Sequence, residues 1–132
     1  MTSLEYEAAI ELPAGPELDD AVGVALGLIK NPAGWWDREC KAACAGDEYR
    51  TPSWGTGALQ ILNDHEEFWE LKKNPDPNWN NGNRYSCTLD LSEAIPSFGS
   101  WWIEESGPTV AVAICRALLR RCQRIADVGY SR

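Results

Sequence analysis

Histidine is nearly missing from this chain: one residue, His65, in 132. Methionine also occurs once and phenylalanine twice. Bases are scarce, with 12 Lys and Arg against 20 Asp and Glu, for a net charge of −8. That balance argues against nonspecific nucleic-acid binding, which depends on neutralising phosphates. It still allows a local basic pocket for a small anion. An acidic surface can also meet a basic protein or imitate the charge of nucleic acid. No apolar run approaches the ~20 residues that span a bilayer, so no membrane association is expected. Met1-Thr-Ser-Leu-Glu-Tyr-Glu lacks the basic and apolar regions of a signal peptide. The five cysteines are an odd number and read as reduced thiols. Together these features predict a cytoplasmic protein. Neither GxGxxG nor a P-loop occurs, so the usual nucleotide-enzyme signals are absent.

What is abundant is tryptophan, seven in 132 residues. Its large ring with one N–H donor suits cores, interfaces and ligand pockets, and the core is the ordinary destination. Length and composition predict one domain over residues 1–132 with a single core.

Along the chain, LEYEAAIEL predicts a short frayed helix ended by Pro13. Gly15-Pro16-Glu17 opens a helix expected over about 16–30, with Glu17, Asp19 and Asp20 complementing its dipole. Leu18, Val22, Ala25, Leu26 and Ile29 form its apolar face. Residues 31–55 are the least regular, with a short strand expected at Tyr49-Arg50-Thr51. Ser53 or Thr56 is a candidate cap for a helix carrying Ala58, Leu59, Ile61 and Leu62. Strands are expected at Glu67–Lys73, Arg84–Leu91 and Trp101-Trp102-Ile103, separated by loops rich in turn formers. Glu105-Ser106-Gly107-Pro108 reads as a turn into a last helix with the apolar stripe Val110, Ala113, Ile114, Ala117, Leu118 and Ile125. The expected class is α+β: an antiparallel sheet with helices packed on it.

Four of the 12 bases lie on that last helix. Arg116, Arg120 and Arg124 recur at i, i+4 and i+8, beside Arg121. The plain reading is a solvent-facing flank paired with local acids. The sharper reading is an anion clamp, since guanidinium matches phosphate oxygens and stacks on aromatic rings. Arg116, Arg120, Arg124 and Arg84, with Trp101 and Trp79, are the candidate ligand-binding residues for a nucleotide held by phosphate and base.

The catalytic and metal patterns are weaker. Cys40 and Cys44 are spaced CxxxC, with one histidine and no second pair, which falls short of a zinc site. His65, flanked by Asp64, Glu66 and Glu67, is a candidate general base with no nucleophile tied to it. Asp90, Glu93, Glu104 and Glu105 could pair as acid and base, or form a solvated acidic edge. No catalytic residue, metal or cofactor is assigned, and an enzyme is not expected.

Four segments together carry a resemblance: LPAGPELDDAVGVALG, TPSWGTGALQIL, RYSCTLDL and ESGPTVAVAICRALL. In this order they resemble small phage proteins with the phage ABA sandwich domain, over about residues 12–120. The AG-ELD opening and the closing AICRA are the most specific pieces. The chain has Pro-Ser-Trp-Gly-Thr-Gly where the family has a Tyr-Ser-Thr-Asp-Ile run. The resemblance implies an α-β-α sandwich and a phage or prophage origin, hence a host-cell cytoplasmic location. A counter-defence role follows as an expectation: a non-catalytic homo-oligomeric sponge that sequesters a nucleotide-derived immune signal of the cyclic oligonucleotide or cyclic ADP-ribose type. The alternatives are an acidic protein that inhibits a host defence protein, and a small phage structural or accessory protein.

Overall fold

The computed structural model describes residues 1–31, 34–36, 48–49, 55–65, 68–91 and 102–127. Its organising element is the last helix, α4 (Val110–Asp127). The Thr109 hydroxyl accepts from Val112 N at 3.2 Å, satisfying one of the donors a helix start leaves open. One side of α4 packs on an antiparallel sheet of β4 (Trp69–Lys73), β5 (Tyr85–Asp90) and β6 (Trp102–Gly107), with β5 central. Helices α1 (Ser3–Ile10), α2 (Pro16–Leu26) and α3 (Gly55–His65) also pack on α4. The class is α+β, as the order of elements predicts.

The ends of α1 and α2 show local causes. In α1, Thr2 Oγ1 accepts from Glu5 N at 3.2 Å and Glu5 Oε1 accepts from Thr2 N at 3.3 Å. This reciprocal cap orders a start expected to fray. Pro16 opens α2, and Gly27 ends it at φ +69°. The left-handed turn lets Leu28 N reach Gly23 O at 2.8 Å, so the helix stops at Leu26 instead of running to 30. The chain then enters β1 (Ile29–Asn31), which pairs with β2 (Gly34–Trp36) and, through it, β3 (Glu48–Tyr49). The strand expected at Tyr49-Arg50-Thr51 meets β3 at Tyr49, with Arg50 and Thr51 outside the described residues, whereas β1, β2 and their pairing were not foreseen, because the strands are too short to show a period. Thr56 lies inside α3, so it is not the cap. Ser53 lies outside the described residues.

The core is aliphatic. Leu18, Val22, Ile61, Leu62, Leu89, Leu91, Val112, Ile114, Leu118 and Leu119 are its largest fully buried side chains. Leu26, expected among them, is only partly buried. The apolar face of α2 meets α4. Of the tryptophans whose side chains are described, Trp69 packs partly against the core, while Trp79 and Trp102 are exposed. Val110, read as part of the buried stripe, is 38% exposed at the first turn of α4.

Candidate functional site

The basic flank of α4 is woven into the fold. Arg116 Nη1 donates to Ser106 O at 2.9 Å and to Asn83 Oδ1 at 3.3 Å, and Nη2 donates to Leu12 O at 3.4 Å. One guanidinium thus ties the end of β6, the β4–β5 loop and the α1–α2 link to α4. Its Nε is buried with no hydrogen-bond partner.

Arg120, one turn later, is only 17% exposed. Its Nη1 lies 2.6 Å from both Glu7 Oε1 and Gln123 Oε1, and its Nε donates to Glu105 Oε2 at 3.4 Å. Gln123 is buried, and its amide donates to Ser3 O, Ser3 Oγ and Glu7 Oε1 at 3.0–3.1 Å. The hydrogen bond from Arg120 chiefly lowers the Glu7 carboxyl below its ordinary value. Burial pushes Glu105 up, outweighing the attraction of Arg120. The Arg120 guanidinium is itself held more firmly protonated: hydrogen bonds and attraction from Glu7 and Glu105 outweigh the opposing cost of its burial.

Arg84 sits elsewhere, donating to Asn74 O at 2.9 Å and Pro75 O at 3.0 Å across the base of the β4–β5 loop. Its guanidinium lies 5.8 Å from the Tyr85 ring centroid, as does Lys73 Nζ. Arg116 reaches Asn83, the residue before Arg84, so these two arginines serve the same loop. Arg124 is exposed in the last turn of α4. Trp79 is 43% exposed in a tight turn, Trp79–Gly82, where Asn80 and Asn81 adopt left-handed φ values of 53° and 57°. Trp101 lies outside the described residues. Among the described residues, the rings over cations are Tyr85 with Lys73 and Arg84, and no aromatic ring stacks on Arg116, Arg120 or Arg124.

The acidic quartet divides by strand geometry. Successive residues of a strand face opposite ways, so the adjacent Glu104 and Glu105 do not share a site. Glu105 turns inward to Arg120, while exposed Glu104 accepts from Thr88 Oγ1 at 3.2 Å. Glu93 lies outside the described residues. Of the described thiols, Cys87 and Cys115 are buried and Cys122 is half-buried, and burial raises Cys115 far above the ordinary thiol range. Among the described residues no three His, Cys, Asp or Glu converge as metal ligands. Cys40 and Cys44 lie outside the described residues, as does the His65 side chain.

The face of the sheet turned away from α4 is the arrangement that sequence reasoning missed. Register places Glu70, Thr88 and Glu104 in one cross-strand row, and Lys72, Ser86 and Ser106 in the next. Asp90 pairs with Trp102, and Asp90 N donates to Phe68 O at 3.3 Å, extending the ladder by one residue. Phe68, Asp90 and Trp102 therefore form the outermost row. Phe68 and Trp102 are 53% and 54% exposed. The signal that would have revealed these rows is the length of β6. Reading Glu105-Ser106-Gly107 as a turn hid it.

Comparison with known protein families, with curated proteins and with solved structures returns no match. Among the described residues no helix is long and apolar enough to cross a membrane.

Proposed function

We propose that this chain is a non-catalytic binding protein whose partner is a basic protein. In the phage setting that the resemblance implies, the partner is a host defence protein held inactive by the contact. The observation that carries this reading is the engagement of Arg116 and Arg120. Their guanidinium donors hold oxygens of their own chain: Ser106 O, Asn83 Oδ1 and Leu12 O for the first, Glu7, Gln123 and Glu105 for the second. A phosphate would have to displace these contacts, which weighs against an anion clamp on α4. The net charge of −8 and the outward carboxylate of Glu104, bonded only to a neutral hydroxyl, favour a cationic partner instead.

Isothermal titration tests this. The probes are an acetylated (Arg-Gly)4 amide peptide and a panel of cyclic dinucleotides, cyclic trinucleotides and cyclic ADP-ribose isomers. The reading expects heat from the peptide that fades as salt rises from 50 to 300 mM, and none from the nucleotides, since exposed charges more than ~10 Å apart are screened at 0.1 M salt. Nucleotide binding with an inert peptide would restore the sponge reading.

A further inference from the structure

We infer that Phe68 and Trp102, on the strands either side of Asp90, form a socket for an arginine side chain of the partner, on the face of the β4–β5–β6 sheet turned away from α4. The inference rests on the reading of the chain as a binder of basic proteins and places the contact.

The spacing comes from the ladder. Phe68 and Trp102 flank Asp90 on the two neighbouring strands. Adjacent strands lie about 4.8 Å apart, so the two aromatic residues are held about 9–10 Å apart at the backbone. A planar guanidinium contacted by a ring on each side needs about 7–8 Å between the rings, given contact distances of 3.5–4.0 Å. Aromatic side chains leaning inward close that difference. Both rings are more than half exposed, which is unusual for large aromatics on a sheet with a buried opposite face. A cation between them gains from the negative ring faces on both sides.

The charge pattern selects the occupant. The outermost row carries Asp90, and the row behind it carries Glu70 and Glu104. The described cations lie toward the other end of the strands. Lys72 is in the third row and pairs with Glu70 at 3.2 Å, while Lys73 and Arg84 lie against Tyr85. The field along this face therefore becomes more negative toward the exposed aromatics, which suits a cationic guest. A second copy of the chain is a poorer occupant, because symmetric pairing would set Glu70, Asp90 and Glu104 near their own counterparts. Arginine is preferred over lysine because its flat, weakly hydrated guanidinium stacks on aromatic rings.

The test measures fluorescence anisotropy of a labelled (Arg-Gly)4 peptide against the full chain and its variants, with circular dichroism checking the fold. Phe68→Ala and Trp102→Ala should each weaken binding about three- to fivefold, the scale of one exposed cation–π contact. The double variant should weaken it tenfold or more. Glu104→Gln should weaken it less than either ring. The conservative Trp102→Phe should keep most of the affinity, which guards against loss of fold in the alanine variant. A (Lys-Gly)4 peptide should bind more weakly, and a citrulline peptide, flat but uncharged, should not bind. Unchanged affinity in a folded double variant overturns the socket while leaving the basic-partner reading in place. No binding of the arginine peptide by the wild-type chain at low salt overturns both. A concentration-dependent dimer in sedimentation velocity that Trp102→Ala dissolves would assign the face to self-association and overturn the socket too.

Discussion

Arg120 Nη1 lies 2.6 Å from Glu7 Oε1, joining two helices across 113 residues of chain. The pair lies where α1, α4 and β6 meet, and its acid partners have opposite pH behaviour. The Glu7 carboxyl is held below its ordinary value. Its contribution is therefore present above the unfolded value, near 4.3, and is lost as pH falls through the lower folded value. Between about pH 5 and pH 3 the wild-type chain should lose more melting temperature than Glu7→Gln does. Equal acid limbs would mean that the contact does not persist in solution.

Glu105 has the reverse sign. Burial raises its carboxyl, so the folded state binds a proton more readily than the unfolded chain. Stability linked to this group rises as pH falls from neutrality through the raised value toward the unfolded one. Glu105→Gln should flatten that part of the profile. An NMR titration should give Glu105 a midpoint above the ordinary glutamate range. A midpoint below it would contradict the assignment.

Gln123 is 3% exposed and donates to the Ser3 carbonyl, the Ser3 hydroxyl and Glu7. Replacing it with alanine removes the bonds to Ser3 and Glu7, takes an acceptor from the Arg120 guanidinium, which is 17% exposed, and should cost about 1–3 kcal/mol. Amide exchange should rise first in residues 3–10. A loss spread evenly over the chain would show that the contact does not hold α1 in particular.

Gly107 ends β6 where the chain passes under the first turn of α4. A Cβ there would stand 2.7 Å from Ala113 N and 3.0 Å from Val112 Cγ1. Neither the backbone nor a packed valine yields easily, so Gly107→Ala should cost about 1–3 kcal/mol. Denaturant unfolding measures it.

Leu118 is 1% exposed in the middle of α4. Leu118→Ala should cost about 2–5 kcal/mol, through lost burial and the cavity left behind. An unchanged melting temperature would place the side chain elsewhere.

The long amphipathic helix was legible because its period persists over many turns, and β5 because Tyr85, Cys87, Leu89 and Leu91 alternate. The end of α2 was misplaced because Leu28 and Ile29 continue the apolar pattern, whereas the backbone of Gly27 decides where the helix stops. The arginine stripe was visible as a stripe. Its partners were not, since Glu7, Leu12 and Ser106 are brought to it by tertiary folding. Phe68 and Trp102 could not be paired from sequence for the same reason: their relation exists only through the β4–β5–β6 register.

The most direct measurement is a residue-resolved amide shift map of the full chain titrated with the (Arg-Gly)4 peptide and, separately, with a cyclic dinucleotide. Peptide-induced shifts should concentrate at Phe68, Glu70, Thr88, Asp90, Trp102 and Glu104, with no response to the nucleotide. Nucleotide-induced shifts along Arg116, Arg120 and Arg124, with the sheet face unmoved by the peptide, would contradict the basic-partner reading.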